Sequence, residues 1–143
     1  LLGSAKLHLP VDLVIADKFA VDAAKKVIAV GNVPAGWRIL DIGPATVSAY
    51  SSHLKEAGTV VWNGPMGVFE AEFFANGTMS VAHALAESSA VSVVGGGDSA
   101  AAIRVAGLLD QITHVSTGGG ASLELIEGKA LPGIEALRLN NPF

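Results

Sequence analysis

The sequence predicts an α/β fold, a parallel sheet with helices on both faces, on three observations. Short, continuous, β-branched apolar runs alternate with Ala- and Leu-rich stretches along the chain, the pattern of βαβ units with strands buried on both sides. Three of these runs end in glycine-bearing turns that open the next helical stretch: "VVWNGPMGVFE" (60–70), "VVGGGDSA" (93–100) and "VSTGGGAS" (115–122). The length of 143 residues, 50% hydrophobic and 15% charged, suffices for one globular domain with its own core.

Strands are predicted over Val11–Ala16, Val27–Val30, Thr59–Trp62, Val91–Val94 and Ile112–Ser116. Helices are predicted over Ala45–Ala57, Glu70–Ser88, Ser99–Leu109 and Ala121–Glu127, where good helix formers are bounded by turn residues. The segment Val27–Ile39 stands apart: Asn32, Pro34 and Gly36 predict a hairpin or an irregular excursion before the pattern resumes at "LDIGP" (40–44).

Composition removes several function classes. Nine basic against thirteen acidic side chains, a net charge of −4 and no basic run argue against a nucleic-acid partner. The absence of cysteine excludes disulfides, thiolate zinc sites and a thiol nucleophile, in keeping with a cytoplasmic location. Glu70, Asp98 and Arg104 interrupt the apolar stretches before any reaches the length of a membrane span, and no signal-peptide pattern opens the chain. The chain starts at Leu1 rather than Met, so the expectation is a piece of a longer protein. His8, His53, His83 and His114 fall at no metal-ligand spacing and read as ordinary polar residues, while Trp37 and Trp62 read as packing residues.

The glycine triplets carry the chemistry. Glycine loses more backbone freedom on folding than any other residue, so three in a row imply positive φ or a close approach to the backbone. Each triplet sits where a strand turns into a helix, the edge where ligands of open α/β sheets collect and where helix N–H groups favour phosphate. Gly95, Gly96 and Gly97 suit a polyphosphate, Asp98 and Ser99 offer oxygens to a metal ion, and Gly118, Gly119 and Gly120 suit a second anionic group. In the third loop, Asn63 with Gly64, Pro65 and Gly67 offers an amide to phosphate oxygens, and Glu70 at a helix head offers a carboxylate to ribose hydroxyls. The plainer alternative is tight βα turns, with Asp98, Ser116 or Thr117 as helix caps and Glu70 as a dipole-favoured carboxylate. Two triplets in successive units favour phosphate. Gly95-x-Gly97-x-x-Ala100 also fits a relaxed dinucleotide fingerprint, but Ser116 and Thr117 stand where that reading wants an acidic residue.

The stretches "LPVDLVIADKF" (9–19), "LDIGPATV" (40–47), "VVWNGPMGVFE", "VVGGGDSAAA" (93–102) and "HVSTGGGASLELIEGKALPGI" (114–134) occur in this order. From about Leu7 to Ile134 the chain resembles the C-terminal part of phosphoglycerate kinase. The resemblance implies two Rossmann-like α/β domains joined by a hinge, with residues 1–143 forming the later portion of the C-terminal nucleotide domain. The N-terminal substrate domain and the start of this domain would then be absent. It implies reversible phosphoryl transfer from 1,3-bisphosphoglycerate to MgADP, giving 3-phosphoglycerate and MgATP, in a cytoplasmic enzyme that is monomeric when intact. Matched by motif, Asn63 would meet nucleotide phosphate, Glu70 the ribose, and Leu40 and Val68 the adenine. Asp98 would serve Mg2+, Gly96, Gly97 and Ser99 the phosphate chain, and Gly118, Gly119 and Gly120 the phosphoryl group in transfer. Ser99 departs from the commoner threonine but keeps the hydroxyl.

Phosphoryl transfer relies on positioning and on charge stabilisation. No cation adjoins either triplet, Lys18 and Lys25 read as solvated surface charges, and Arg104 reads as pointing elsewhere. The family's lysine and arginine lie in segments outside this chain. The expectation is therefore weak nucleotide binding at most, and a tendency to associate through uncovered apolar surface. The alternatives are a nicotinamide-dependent oxidoreductase domain and a non-catalytic fragment.

Overall fold

The computed structural model describes residues 6–116 and 118–140. Its elements in chain order are β1 (Asp12–Ala16), β2 (Lys25–Ala29), β3 (Arg38–Ile42), α1 (Pro44–Glu56), β4 (Thr59–Trp62), α2 (Asn76–Ala86), β5 (Val91–Gly95), α3 (Gly97–Val105), β6 (His114–Ser116), α4 (Gly119–Ile126) and α5 (Pro132–Asn140). Single 3-10 turns at Glu72–Phe74 and Leu109–Gln111 precede α2 and β6.

The second half follows the predicted pattern. Strands β4, β5 and β6 form a parallel sheet in that order, Val61 beside Val93 and Val94 beside Val115, and helices connect them. The first half differs: β2, β1 and β3 form a separate antiparallel sheet with β1 in the middle. The reason is the connections. A parallel pair needs a crossover of a dozen or more residues, usually a helix, and here β1 to β2 and β2 to β3 are joined by short loops. The irregular excursion expected after Val27 is thus an edge strand, with Lys25 and Lys26 exposed on it, followed by a loop that crosses to the far side of β1.

The long helix expected over Glu70–Ser88 is also corrected, since α2 begins only at Asn76. Phe69 and Ala71 are both buried, and a helix turns residues two apart toward opposite faces. The chain instead makes a turn and a 3-10 step that bury Phe74 and Ala75 as well. Helix α3 opens at Gly97 and closes before Gly107, whose φ of 71° ends it. Helix α5, with Pro132 at its start, was not expected.

The larger core packs Ile42, Trp62, Val81, Leu85, Val94 and Ile103 between the parallel sheet and α1, α2 and α3. A smaller one joins Ala16, Leu40, Ala71 and Phe74, with Val14, Val68 and Phe73 against it. Together they tie the antiparallel sheet to the loop that follows β4.

Candidate nucleotide site

Because β4, β5 and β6 run parallel, the three glycine loops leave the sheet at one edge, and the structure brings them together around Asn63. A Cβ placed on Gly119 would stand 2.7 Å from Gly96 Cα and 2.8 Å from Asn63 Oδ1; on Gly95 or Gly96 it would lie 3.2 or 3.3 Å from the same oxygen. Gly96 has a φ of 94° and donates its N–H to the Ser116 carbonyl at 3.1 Å. These glycines are needed because the loops approach one another. A Cβ on Gly97 or Gly120 would meet nothing, and one on Gly118 only Ser116 Oγ at 3.8 Å. The open ground at the helix starts therefore lies at Gly97, Gly118 and Gly120.

The loop after β4 is pinned along its length. Gly64 N–H donates to Ser99 Oγ (2.7 Å), Met66 and Gly67 N–H both donate to Thr78 Oγ1 (3.1 and 3.2 Å), and Val68 N–H donates to the Leu40 carbonyl (2.9 Å). Pro65 has no N–H, and Trp62 Nε1 closes the turn onto the Gly64 carbonyl at 2.5 Å. Every backbone donor from Gly64 to Val68 thus already has a protein acceptor. What the loop can offer a ligand is the exposed Asn63 side chain and the half-buried faces of Pro65 and Val68.

Ser99 is buried and accepts from Gly64, so its hydroxyl joins two loops. Asp98 is exposed on the first turn of α3, where it makes no side-chain cap. Leu40 is buried in the smaller core, and Val68 packs at that core's edge through the backbone bond between them. Glu70 is exposed in the turn after β4, upstream of the 3-10 step, rather than at the head of a helix as expected. Ser116, considered as a cap, accepts the N–H of Gly118 at 3.2 Å and lies 3.0 Å from Ser122 Oγ. Thr117 lies outside the described residues.

The sequence reading missed two buried aspartates that hold the site's framework. Neither α1 nor α2 has a local side-chain cap; each is closed from a distant strand. Asp12 of β1 accepts the N–H groups of Ala45 (3.0 Å) and Thr46 (2.7 Å), and Thr46 Oγ1 stands 2.6 Å from Asp12 Oδ1. Asp41 of β3 accepts the Gly77 N–H at 2.6 Å and the Ile42 N–H at 2.9 Å. Burial alone would raise both carboxyls. For Asp12 the bonds from the Thr46 hydroxyl and from the Ala45 and Thr46 N–H groups outweigh it, and the group lies below its ordinary value of 3.8. For Asp41 burial prevails over the Gly77 and Ile42 bonds, and the group lies above that value.

Positive charge is scarce at this edge. Lys18 pairs with Asp22 at 2.7 Å, Lys25 Nζ sits 5.3 and 5.2 Å from the Phe73 and Phe74 ring centroids, and Arg104 is exposed in the last turn of α3. Among the described residues no three His, Cys, Asp or Glu side chains group as metal ligands; His8 and His53 only pack ring on ring at 4.2 Å. No helix among them is long and apolar enough to cross a membrane. An apolar cavity of about 240 Å³, bounded by Tyr50, Leu54, Val60, Trp62 and Leu85, meets the loop after β4 at Met66 and includes no residue of the two glycine triplets.

The class so defined is an α/β fold whose parallel strands end in converging glycine loops. The family model described as phosphoglycerate kinase matches residues 3–129, and the chain belongs to the phosphoglycerate kinase family. The phosphoglycerate kinase of Chloroflexus aurantiacus is 59% identical over 137 residues, which cover 94% of this chain and 34% of that protein. That of Herpetosiphon aurantiacus is 61% identical over 132 residues, covering 92% of this chain and 34% of that protein. Among solved structures, phosphoglycerate kinase from Coxiella burnetii superposes with a TM-score of 0.83 at 48% identity, over 90% of this chain and 33% of that one. The enzyme from Pyrococcus horikoshii gives 0.77 at 41% identity, over 90% of this chain and 32% of that one. The chain spans about a third of the length of these relatives. Its family is not the nicotinamide-dependent class that the relaxed fingerprint had left open.

Proposed function

We propose that residues 1–143 are the later portion of the C-terminal domain of a phosphoglycerate kinase and carry part of its MgADP/MgATP site. The carrying observation is the convergence of three glycine loops around Asn63 at one sheet edge, in a chain of this family. In this reading the whole enzyme moves a phosphoryl group reversibly from 1,3-bisphosphoglycerate to ADP, and this chain positions the nucleotide. Asn63 turns Oδ1 toward the glycines, which leaves its amide nitrogen to donate to a phosphate oxygen. The N–H groups of Gly97, Asp98 and Ser99 head α3 without intrahelical partners and face the phosphate chain, with Gly95 and Gly96 shaping its floor. Gly118 spends its N–H on Ser116, so the transferring group is met by Gly119 and Gly120 at the head of α4. Leu40 and Val68 offer an apolar edge to the adenine, Gly64, Pro65 and Gly67 hold the loop's shape, and Glu70 receives the ribose hydroxyls.

A single exposed carboxylate, Asp98, suits Mg2+, which commonly takes one or two protein carboxylates and completes its shell with substrate phosphates and water. When bound, the ion neutralises charge on the phosphates. The missing cations and the 3-phosphoglycerate site belong to the remaining two thirds of the protein in this proposal, as do cytoplasmic location and a monomeric intact state. Calorimetric titration tests it. Asp98→Ala weakens MgADP binding about tenfold while metal-free ADP changes less than about twofold; equal weakening reduces Asp98 to a helix-start residue.

A further inference from the structure

We infer that Thr78 is a positioning residue of the nucleotide site: its buried hydroxyl holds the backbone of Met66 and Gly67, and so sets where Asn63 and Val68 stand. The inference rests on the nucleotide reading and adds a residue to which that reading gives no role. Thr78 is fully buried on the first turn of α2, and its single oxygen accepts two consecutive N–H groups of the loop, at 3.1 and 3.2 Å. These donors lie between two fixed points. Upstream, Gly64 is held by Ser99; downstream, Val68 is held by the Leu40 carbonyl. Without the threonine oxygen the middle of the loop would have two half-buried donors and no acceptor, and the loop would shift to reach water.

Asp41 places Thr78 in turn. Its Oδ2 accepts the Gly77 N–H, fixing the first turn of α2 one residue before Thr78. Its Oδ1 stands 2.3 and 2.2 Å from where a Cβ on Gly67 or Gly77 would lie, so loop and helix are both drawn against the same carboxylate. Strand β3 thus reaches the nucleotide loop twice, through the Leu40 carbonyl directly and through Asp41, Gly77 and Thr78 indirectly. A hydroxyl that touches no ligand governs the geometry of side chains that do.

The experiment combines amide exchange with nucleotide titration on the 143-residue chain. In the unsubstituted protein without ligand, the Met66 and Gly67 amides are protected; free exchange at both overturns the inference with no variant needed. Thr78→Val keeps the shape and removes the acceptor. It is expected to speed exchange at those two amides about tenfold and to weaken MgADP about tenfold. Thr78→Ser, which keeps the hydroxyl, returns both to within about twofold. Unchanged MgADP affinity in Thr78→Val overturns the positioning role while leaving the nucleotide reading intact. An unsubstituted chain that shows no MgADP binding even at about 10 mM nucleotide, where the weak binding expected of part of a site would register, overturns the reading that this chain carries part of the nucleotide site, and the positioning role with it. If Thr78→Val fails to fold, the wild-type exchange and the Thr78→Ser affinity decide: a serine variant that folds but binds MgADP about tenfold more weakly counts against the hydroxyl as the positioning group.

Discussion

Asp12 and Asp41 stand at comparable places and meet different surroundings. Each is a buried strand carboxylate that closes the start of a helix more than thirty residues further along, Asp12 at Ala45 and Thr46, Asp41 at Gly77. Asp12 also receives a hydroxyl, and Thr46 Oγ1 in return accepts the N–H groups of Val11 and Asp12, each at 3.0 Å, so carboxylate and hydroxyl close on each other. Asp41 has two backbone donors, one of them its own neighbour. The charged form is therefore favoured at the first site and disfavoured at the second. Asp41 is also the more deeply buried of the two, so the depth of burial and the donors turned toward each carboxylate together set its state.

The strongest way to test the contrast is to remove Asp12. Asp12→Ala strips the α1 cap and leaves the Ala45 and Thr46 N–H groups short of an acceptor, and the expected loss is about 3 kcal/mol in urea unfolding. A loss under about 1 kcal/mol would mean that the bonds around Asp12 contribute little beyond a generic cap. The acid limb separates the two residues by sign. Asp12 has a lowered folded value, so its contribution is present above the ordinary 3.8 and fades as pH falls through the folded value. The difference in melting temperature between the unsubstituted chain and Asp12→Asn should narrow on acidification. Asp41 has a raised folded value, so ionisation costs stability as pH rises through it. Relative to Asp41→Asn, the unsubstituted chain should gain as pH falls. Asp41→Asn is also the smaller perturbation at neutral pH, within about 1 kcal/mol, because the amide keeps an acceptor for Gly77 and removes a disfavoured charge. Gaps that move in the same direction for both variants would undo the comparison.

What was legible in the sequence was local. The apolar runs, the glycine triplets and the helix starts mark the parallel half, and the long motifs carried the family resemblance that the comparisons bear out. The triplets posed a question of close approach, and part of the answer is steric: Gly95, Gly96 and Gly119 are small because the loops press on one another and on Asn63, which no single loop announces. The antiparallel half was misread because apolar strands look alike whichever way they pair, and only the absence of a helix between them decides. Asp12, Asp41 and Thr78 escaped because their partners lie 34, 36 and 12 positions away, beyond the reach of any local capping pattern.

The bond from Gly64 to Ser99 also bears on the chemical ageing of this protein. Asn-Gly is the dipeptide most prone to lose ammonia, because the following amide nitrogen attacks the side-chain carbonyl and closes a five-membered imide. Here that nitrogen is engaged with Ser99 Oγ at 2.7 Å, which holds it back from the side-chain carbonyl. The contacts that shape the loop also guard its one exposed amide against self-destruction. Peptide mapping of stored protein should find Asn63 intact, and Ser99→Ala should let it convert.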